Sequence, residues 1–440
     1  MVNIEPVSKA DRNLSGWDFF VLWAGAAVSL AEIWAGGLLV PLGLGLGLWA
    51  ILLGHLIGNT PFALGGLIGS RWGIPTMVSL RPSFGVRGSN GAAALNVIQL
   101  VGWTAIMLIV CGAAADTLSK AYGFSSPTLW VLAAGAVTTL WAAVGHRAWK
   151  WLQRISVLAL LALCLGMTYV LFNRYGWRML SEIPKGKELP FMVGMDLVIA
   201  MPISWLPLVS DYSRFAKDSR SSFWGTWIGY FLISSWMYFL GLAASLATKS
   251  TDPSAVVMNL MLEFGWAIPA LLIVLLSTFT TTFLDIYSTA ISTLTIVPRI
   301  GERLGIILGG LLGTALALVF PGLLQYEHFL LFIGAMFCPI FGIVLTDYFF
   351  VRGPRISLED LYRKDGIYWF SKGINPVAVI GWLVGFAVYL GFSPLLLEKI
   401  FGIHWAFPWP LGSSLPSLIV AGLIYGPLMR LFYGEGEEKK

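Results

Sequence analysis

Apolar runs long enough to cross a bilayer recur along the whole chain, at about 17–40, 48–70, 92–115, 127–145, 152–172, 191–210, 223–247, 267–297, 305–321, 329–350, 375–397 and 413–433. Crossing about 30 Å of hydrocarbon takes ~20 helical residues. The pattern therefore predicts an all-α polytopic membrane protein with about twelve transmembrane helices. A membrane β-barrel would instead show ~10-residue segments of alternating apolar and polar side chains. Stretches such as Val157–Cys164 and Gly309–Phe320 have no such alternation. The longest polar stretches, around 172–190 and 351–374, are too short to form a soluble domain, so the membrane bundle itself must do the work.

Composition agrees with this reading. Hydrophobic residues make up 57% of the chain and charged ones only 12%, and the mean hydropathy is +0.78. A soluble core cannot hide that much apolar surface, so the surplus must face lipid. Lys and Arg are retained on the cytoplasmic side of membrane proteins. Of the 28 present, 21 fall in the N-terminus, the C-terminus and the loops that follow even-numbered helices. Both termini are therefore expected in the cytoplasm, in a multi-pass protein of the cell membrane. The net charge of +5 is then a topology signal rather than a nucleic-acid patch, since no basic stretch outside the membrane is interleaved with stacking aromatics. Residues 1–16 lack an apolar core followed by a small-residue cleavage site, so no removable signal peptide is expected.

The chemistry of common enzymes is missing from the pattern. Cys111, Cys164 and Cys338 sit singly inside apolar runs, and His55, His146, His328 and His404 are scattered, so neither spacing suggests a metal or nucleophilic centre. No H-E-x-x-H or comparable motif occurs. A channel would need a filter repeated by symmetry, and none is evident. What remains is a carrier.

Two spans carry interruptions at corresponding positions. Ala31-Glu32-Ile33-Trp34-Ala35-Gly36-Gly37 is expected to break the first, and Met201-Pro202-Ile203-Ser204-Trp205-Leu206-Pro207 the sixth. Two prolines five residues apart argue against continuous helix over 201–207. Paired discontinuous helices point to an inverted-repeat transporter whose site lies at the membrane midplane. The chain then divides into a cytoplasmic N-terminus (1–16), a first repeat (17–172), an extracellular connection (173–190), a second repeat (191–350), a cytoplasmic loop (351–374) and two further helices with the C-terminus (375–440).

Polar groups inside these spans are the candidate site. A mid-span carboxylate costs on the order of 2.5–3.5 kcal/mol by insertion scales, so it must face the bundle interior and be partnered. Glu32 and Asp285 lie deepest. Each either accepts hydrogen bonds from an amino-substituted solute or takes part in cation coupling, or is a buried acid that only knits helices together. Asp196 reads as a charge at a helix N-terminus, and Asp347 lies near the end of the tenth span. The eighth span carries Ser277, Thr278, Thr280, Thr281 and Thr282, oxygens that could ligate a small cation or simply bond back to helical carbonyls. Gln99 and Trp103, four apart on one helix face, offer an amide and a stacking platform to a planar ring.

Three segments together resemble the nucleobase:cation symporter-1 family: Arg81-Pro82-Ser83-Phe84-Gly85-Val86-Arg87-Gly88, the Gln99 to Trp103 pair, and Asp211-Tyr212-Ser213-Arg214-Phe215. The resemblance extends over essentially the whole chain. It implies a LeuT-like five-plus-five inverted repeat with discontinuous helices 1 and 6, plus two extra C-terminal helices. It also implies a solute site between helices 1, 3, 6 and 8 and a cation site between helices 1 and 8. Carried over, Trp103 stacks on the ring and Gln99 bonds to it; Glu32, Ser204, Trp205 and Asp285, read from their own positions in the spans, complete the candidate solute site. Ala31, Ser277, Thr280 and Thr281 become the cation ligands, with Thr280-Thr281 and Ser277-Thr278 as competing hydroxyl pairs. Pro202 stands where many relatives place a second aromatic, Thr282-Phe283-Leu284-Asp285 replaces an Asn-rich segment, and Glu32 is unlike the cytosine-type helix 1. These departures look more like the branch assigned to hydroxymethylpyrimidine, an aminopyrimidine. The implied activity is import of such a small heterocycle with Na⁺, without a cofactor. The alternative is proton-coupled uptake of a purine, hydantoin or allantoin-type ring with Glu32 or Asp285 carrying the proton.

Overall fold

The computed structural model describes residues 4–120, 122–144, 146–186, 189–262, 265–319, 326–404 and 412–433. Helices occupy all twelve expected places. They are α1a (Gly16–Ala27) and α1b (Leu30–Gly37), α2 (Gly43–Trp72), α3 (Gly88–Lys120), α4 (Pro127–Val144), α5 (His146–Arg174), α6a (Phe191–Trp205) and α6b (Val209–Ser213), α7 (Ser219–Thr248), α8 (Ala267–Ile296), α9 (Glu302–Val319), α10 (Tyr326–Thr346), α11 (Pro376–Phe392) and α12 (Ser414–Tyr433). By length and apolarity alone, eight stretches among the described residues qualify as spans, or ten if two sharply bent pairs each count as one. α6 and α10 are buried almost throughout, whereas α4, α9 and α12 turn most of their surface outward. Leu140, Val144, Leu311, Leu312 and Leu423 form part of that apolar exterior.

Both interruptions exist, and both lie slightly away from the predicted places. The first span breaks at Val28 and Ser29, not across Ala31–Gly37. Ser29 is the N-cap of α1b, its hydroxyl accepting from the Glu32 N–H at 3.4 Å. Gly36 and Gly37 stay helical because they serve packing. A Cβ on Gly36 would strike the Tyr238 carbonyl of α7, and one on Gly241 would strike the Ile33 carbonyl of α1b. Small residues at such a crossing let two backbones touch, as membrane helices require.

The sixth span runs helically through Pro202 and loosens only after Trp205, into a 3₁₀ turn at Leu206–Leu208. Pro202 is accommodated by α2: a Cβ on Gly58 would lie 2.5 Å from its ring, and Gly54 meets Val198 in the same way one turn earlier. Further along, Gly65 and Gly66 face Val209 and Gly69 faces Ser213. The α2 glycines thus form a track along which α6 lies in parallel, close enough to hold a proline-containing helix straight.

The chain ends share one face. There Ile4 accepts from the Tyr362 hydroxyl at 2.6 Å, and Phe370 packs its ring against Tyr433. Leu14 pairs with the segment after α6b through Leu14 N–H to the Phe215 carbonyl (3.0 Å) and Lys217 N–H to the Leu14 carbonyl (2.9 Å). Val7 N–H reaches the Gly73 carbonyl at 2.8 Å, so the N-terminal segment braces three loops. The Arg81–Gly88 motif docks the 351–374 loop onto the same face: Arg81 donates to the Leu361 carbonyl at 2.8 Å, and Arg87 N–H to that of Gly373 at 2.7 Å.

Candidate functional site

The break in the sixth span lies between α3 and α8, reached by Gln99 on one side and by the Tyr212–Ser288 contact on the other. Gln99 joins α3 to the sixth span, its Nε2 donating to the Ser204 carbonyl at 2.9 Å and to Asn96 Oδ1 at 2.8 Å. Ser204 can offer that carbonyl because Pro207 and the 3₁₀ turn disrupt the helical ladder there. Its own hydroxyl is spent on the Met201 carbonyl at 2.6 Å.

α3 and α8 run antiparallel and are pinned at two levels. Asn96 Nδ2 donates to Ser292 Oγ at 2.8 Å, and the Cys111 thiol meets the Thr278 hydroxyl. About two helical turns beyond Asn96 lies Trp103, and about two turns before Ser292 lies Asp285. The indole and the carboxylate therefore stand level across the α3–α8 interface.

Aromatic rings close the space on both sides. Trp103 is met edge-on by Tyr326 and Phe329 of α10, at centroid distances of 5.9 and 5.3 Å. Tyr326 also stacks on Trp34 at 4.4 Å and donates its hydroxyl to the Ala31 carbonyl at 2.9 Å. Toward the face that carries the chain ends, Trp23 is a hub touching Phe62, Trp205 and Tyr212 at 4.7, 5.9 and 5.8 Å. Around these rings four buried polar atoms have no hydrogen-bond partner: Gln99 Oε1, Trp23 Nε1, Trp205 Nε1 and Asp285 Oδ2. Burying an unpaired donor or acceptor costs about 1–3 kcal/mol. The four amount to two free acceptors and two free donors beside aromatic rings.

Gln99, Trp103, Ser204, Trp205 and Asp285 are thus brought together, with Ala31 linked to them through Tyr326. Glu32 is directed elsewhere. Its Oε1 accepts from the Tyr230 hydroxyl at 2.6 Å and its Oε2 from Ser234 at 2.7 Å, both on α7. Among the expected cation ligands, Thr281 is buried on α8, and the side chains of Ser277 and Thr280 lie outside the described residues. No group of three or more His, Cys, Asp or Glu able to hold a metal occurs among the described residues. Tyr326, Phe329, Trp23 and Asn96 were not predicted. Only Asn96, one turn before Gln99 on the same face, carried a sequence signal.

Two further interior acids, Asp196 and Asp347, tie segments together. Asp196 accepts from the backbone N–H groups of Ser413 and Ser414 at 2.7 and 2.9 Å, capping α12 from a distance. Asp347 accepts from Ser83 and Tyr425 and pairs with Arg352 at 3.0 Å.

A polytopic bundle with two broken helices and buried polar groups beside the second break is the architecture of a membrane carrier. The sequence profile of the family described as permease for cytosine/purines, uracil, thiamine, allantoin matches residues 6–406, and the chain belongs to that family. A hydantoin permease of Microbacterium maritypicum is 25% identical over 94% of this chain and 90% of its own. The cytosine permease of Escherichia coli (strain K12) is 28% identical over 84% and 88%. Among solved structures, Mhp1, a nucleobase-cation-symport-1 family transporter, superposes in a closed conformation with bromovinylhydantoin bound, at a TM-score of 0.84 and 23% identity over 98% of this chain and 95% of that one. A Na⁺-coupled sialic acid symporter follows at 0.71 and 13%, covering 97% and 91%. These likenesses bear out the LeuT-like fold that the family resemblance implied.

Proposed function

We propose that this protein imports a nucleobase-like aminopyrimidine, of the hydroxymethylpyrimidine or cytosine type, by cation symport. The carrying observation is the set of unpartnered buried atoms around Trp103. Gln99 Oε1 and Asp285 Oδ2 can accept from amino or ring N–H groups, while Trp205 Nε1 can donate to a ring nitrogen or carbonyl. Trp103 supplies the face on which the ring stacks, and Glu32 acts from outside this contact set. Na⁺ is the expected ion, held between helices 1 and 8 by the Ala31 carbonyl with Ser277, Thr280 and Thr281. Alternating access then rocks the repeat 17–172 against the repeat 191–350 around the site. The bias of Lys and Arg puts the face with both chain ends in the cytoplasm, in a cell-membrane protein.

The test is ligand-induced thermal stabilisation of the purified protein with cytosine, uracil, adenine, hydantoin, allantoin and hydroxymethylpyrimidine, each with and without Na⁺. Stabilisation by an aminopyrimidine that grows with Na⁺ and disappears in Trp103→Ala supports the reading. A panel in which only hydantoin or allantoin stabilises refutes the substrate class, and stabilisation indifferent to Na⁺ refutes the ion.

A further inference from the structure

α8, α3 and the break in the sixth span are joined by a relay of side chains in which each amide is oriented by its neighbour. Gln99 lies 2.9 Å from the Ser204 backbone carbonyl. A carbonyl oxygen only accepts, so the Gln99 atom facing it is the amide nitrogen. The second hydrogen of that nitrogen goes to Asn96 at 2.8 Å. The Asn96 atom on that side is therefore its oxygen, and its nitrogen donates to Ser292 of α8 at 2.8 Å. Asn96, Gln99, Ser204 and Ser292 are all buried. Both amide hydrogens of Gln99 are then spent, and what it has left to offer is Oε1, buried and without a partner. Turning the amide over would set that oxygen against the Ser204 carbonyl, lone pair against lone pair.

We infer that Asn96 is a positioning residue that makes Gln99 an acceptor and nothing else, so that the site takes a ring with an amino group at this position and refuses the ring with an oxo oxygen there. This rests on the transporter reading above and deepens it by naming what separates accepted rings from rejected ones. Asn96 acts through Gln99, by occupying the amide hydrogen that would otherwise be free to donate. An amino N–H meets Oε1 as donor to acceptor. An oxo oxygen in the same place meets another oxygen, and both are left desolvated and unpaired. One turn beyond Gln99 on the same face of α3, Trp103 supplies the stacking surface that holds the ring against this choice.

Two pairs of compounds differ in that group: cytosine against uracil, and hydroxymethylpyrimidine against its analogue with oxo in place of amino. Dissociation constants come from thermal unfolding of the purified protein with increasing ring. The wild-type protein binds the amino member more tightly by roughly 5- to 150-fold, the range for one unpaired buried polar group. Asn96→Leu frees the amide hydrogen to turn toward an oxo oxygen and shrinks that ratio by at least about fivefold. Asn96→Asp keeps an oxygen facing the Gln99 amide, whether it donates to Ser292 or accepts from it, and leaves the ratio within about twofold of wild type. A residue that merely pins α3 to α8 would weaken both members alike, so an unchanged ratio in Asn96→Leu, or a lost one in Asn96→Asp, overturns the positioning role. A wild-type protein that holds the oxo members as tightly as the amino ones overturns the acceptor assignment. Without solute, the fall in melting temperature of Asn96→Leu combined with Gln99→Leu is smaller than the sum of the two single falls, because the pair shares a bond; additive falls overturn the relay. Should none of these rings bind, the substrate reading fails while the same double-variant comparison still decides the relay.

Discussion

Asp285 and Asp196 are both buried interior acids, and the difference in their partners predicts opposite consequences of removing them. Asp285 Oδ2 is buried without a hydrogen-bond partner, whereas Asp196 holds two backbone N–H groups at the start of α12. Asp196→Ala strands both donors, at about 1–3 kcal/mol each, so the loss of stability is roughly 2–6 kcal/mol. Asp285→Ala removes an acceptor whose burial was uncompensated, a relief of about 1–3 kcal/mol set against a small cavity. The solute-free variant should therefore be as stable as wild type or more so. Its binding suffers instead: an N–H of the bound ring left unpaired costs about 1–3 kcal/mol, or roughly 5- to 150-fold in Kd. Both quantities come from one assay, thermal unfolding of the purified variants with increasing hydroxymethylpyrimidine and cytosine. The reasoning is wrong if Asp285→Ala melts as far below wild type as Asp196→Ala does while binding solute unchanged. Such an outcome would make Asp285 a structural tie and remove the acceptor on which the proposed ring contacts depend.

Two further variants probe the scaffold. Gly241→Val drives a side chain into the Ile33 carbonyl at the α1b–α7 crossing, and overpacking of this kind costs about 1–3 kcal/mol, read as a lower melting temperature and yield than wild type. Asp218 caps α7 through the Ser221 N–H at 2.8 Å, and its hydrogen bonds to Ser221 hold its carboxyl below the ordinary range. That contribution is present above the unfolded-state value and is lost as pH falls through the folded one. Asp218→Ala should accordingly lower stability by about 1 kcal/mol near neutrality and flatten the acid side of the stability profile.

The helices were legible because each is an apolar run of the length the bilayer demands, and nothing in the tertiary structure had to override that. The breaks were legible only to within a few residues. Gly36-Gly37 and Pro202 carry the same letters whether they unwind a helix or allow another to approach it. The choice is made by α7 and α2, distant in sequence, whose backbone and glycines receive them. The α3 pair was readable from helical spacing, and Asp285 from its depth. Glu32 was readable as an interior acid but not as a partner of α7, because its contacts depend on packing between spans. His55, one of four scattered histidines, is silent in the sequence for the same reason, since its ring meets Ser234 of α7 only in the fold. It gains its meaning from Ser234, which as one hydroxyl in an apolar helix gives no signal of its own.

The contacts of Glu32 also set a clock on biosynthesis. Its hydrogen-bond partners on α7 lie 198 and 202 residues later in the chain. At a synthesis rate of about 5–20 residues per second, they emerge roughly 10–40 s after Glu32 does. Through that interval the first span must hold a carboxyl group in the membrane unaided, against an insertion cost on the order of 2.5–3.5 kcal/mol. The neighbouring Leu30, Ile33, Trp34 and Ala35 are what keep it there until α7 arrives.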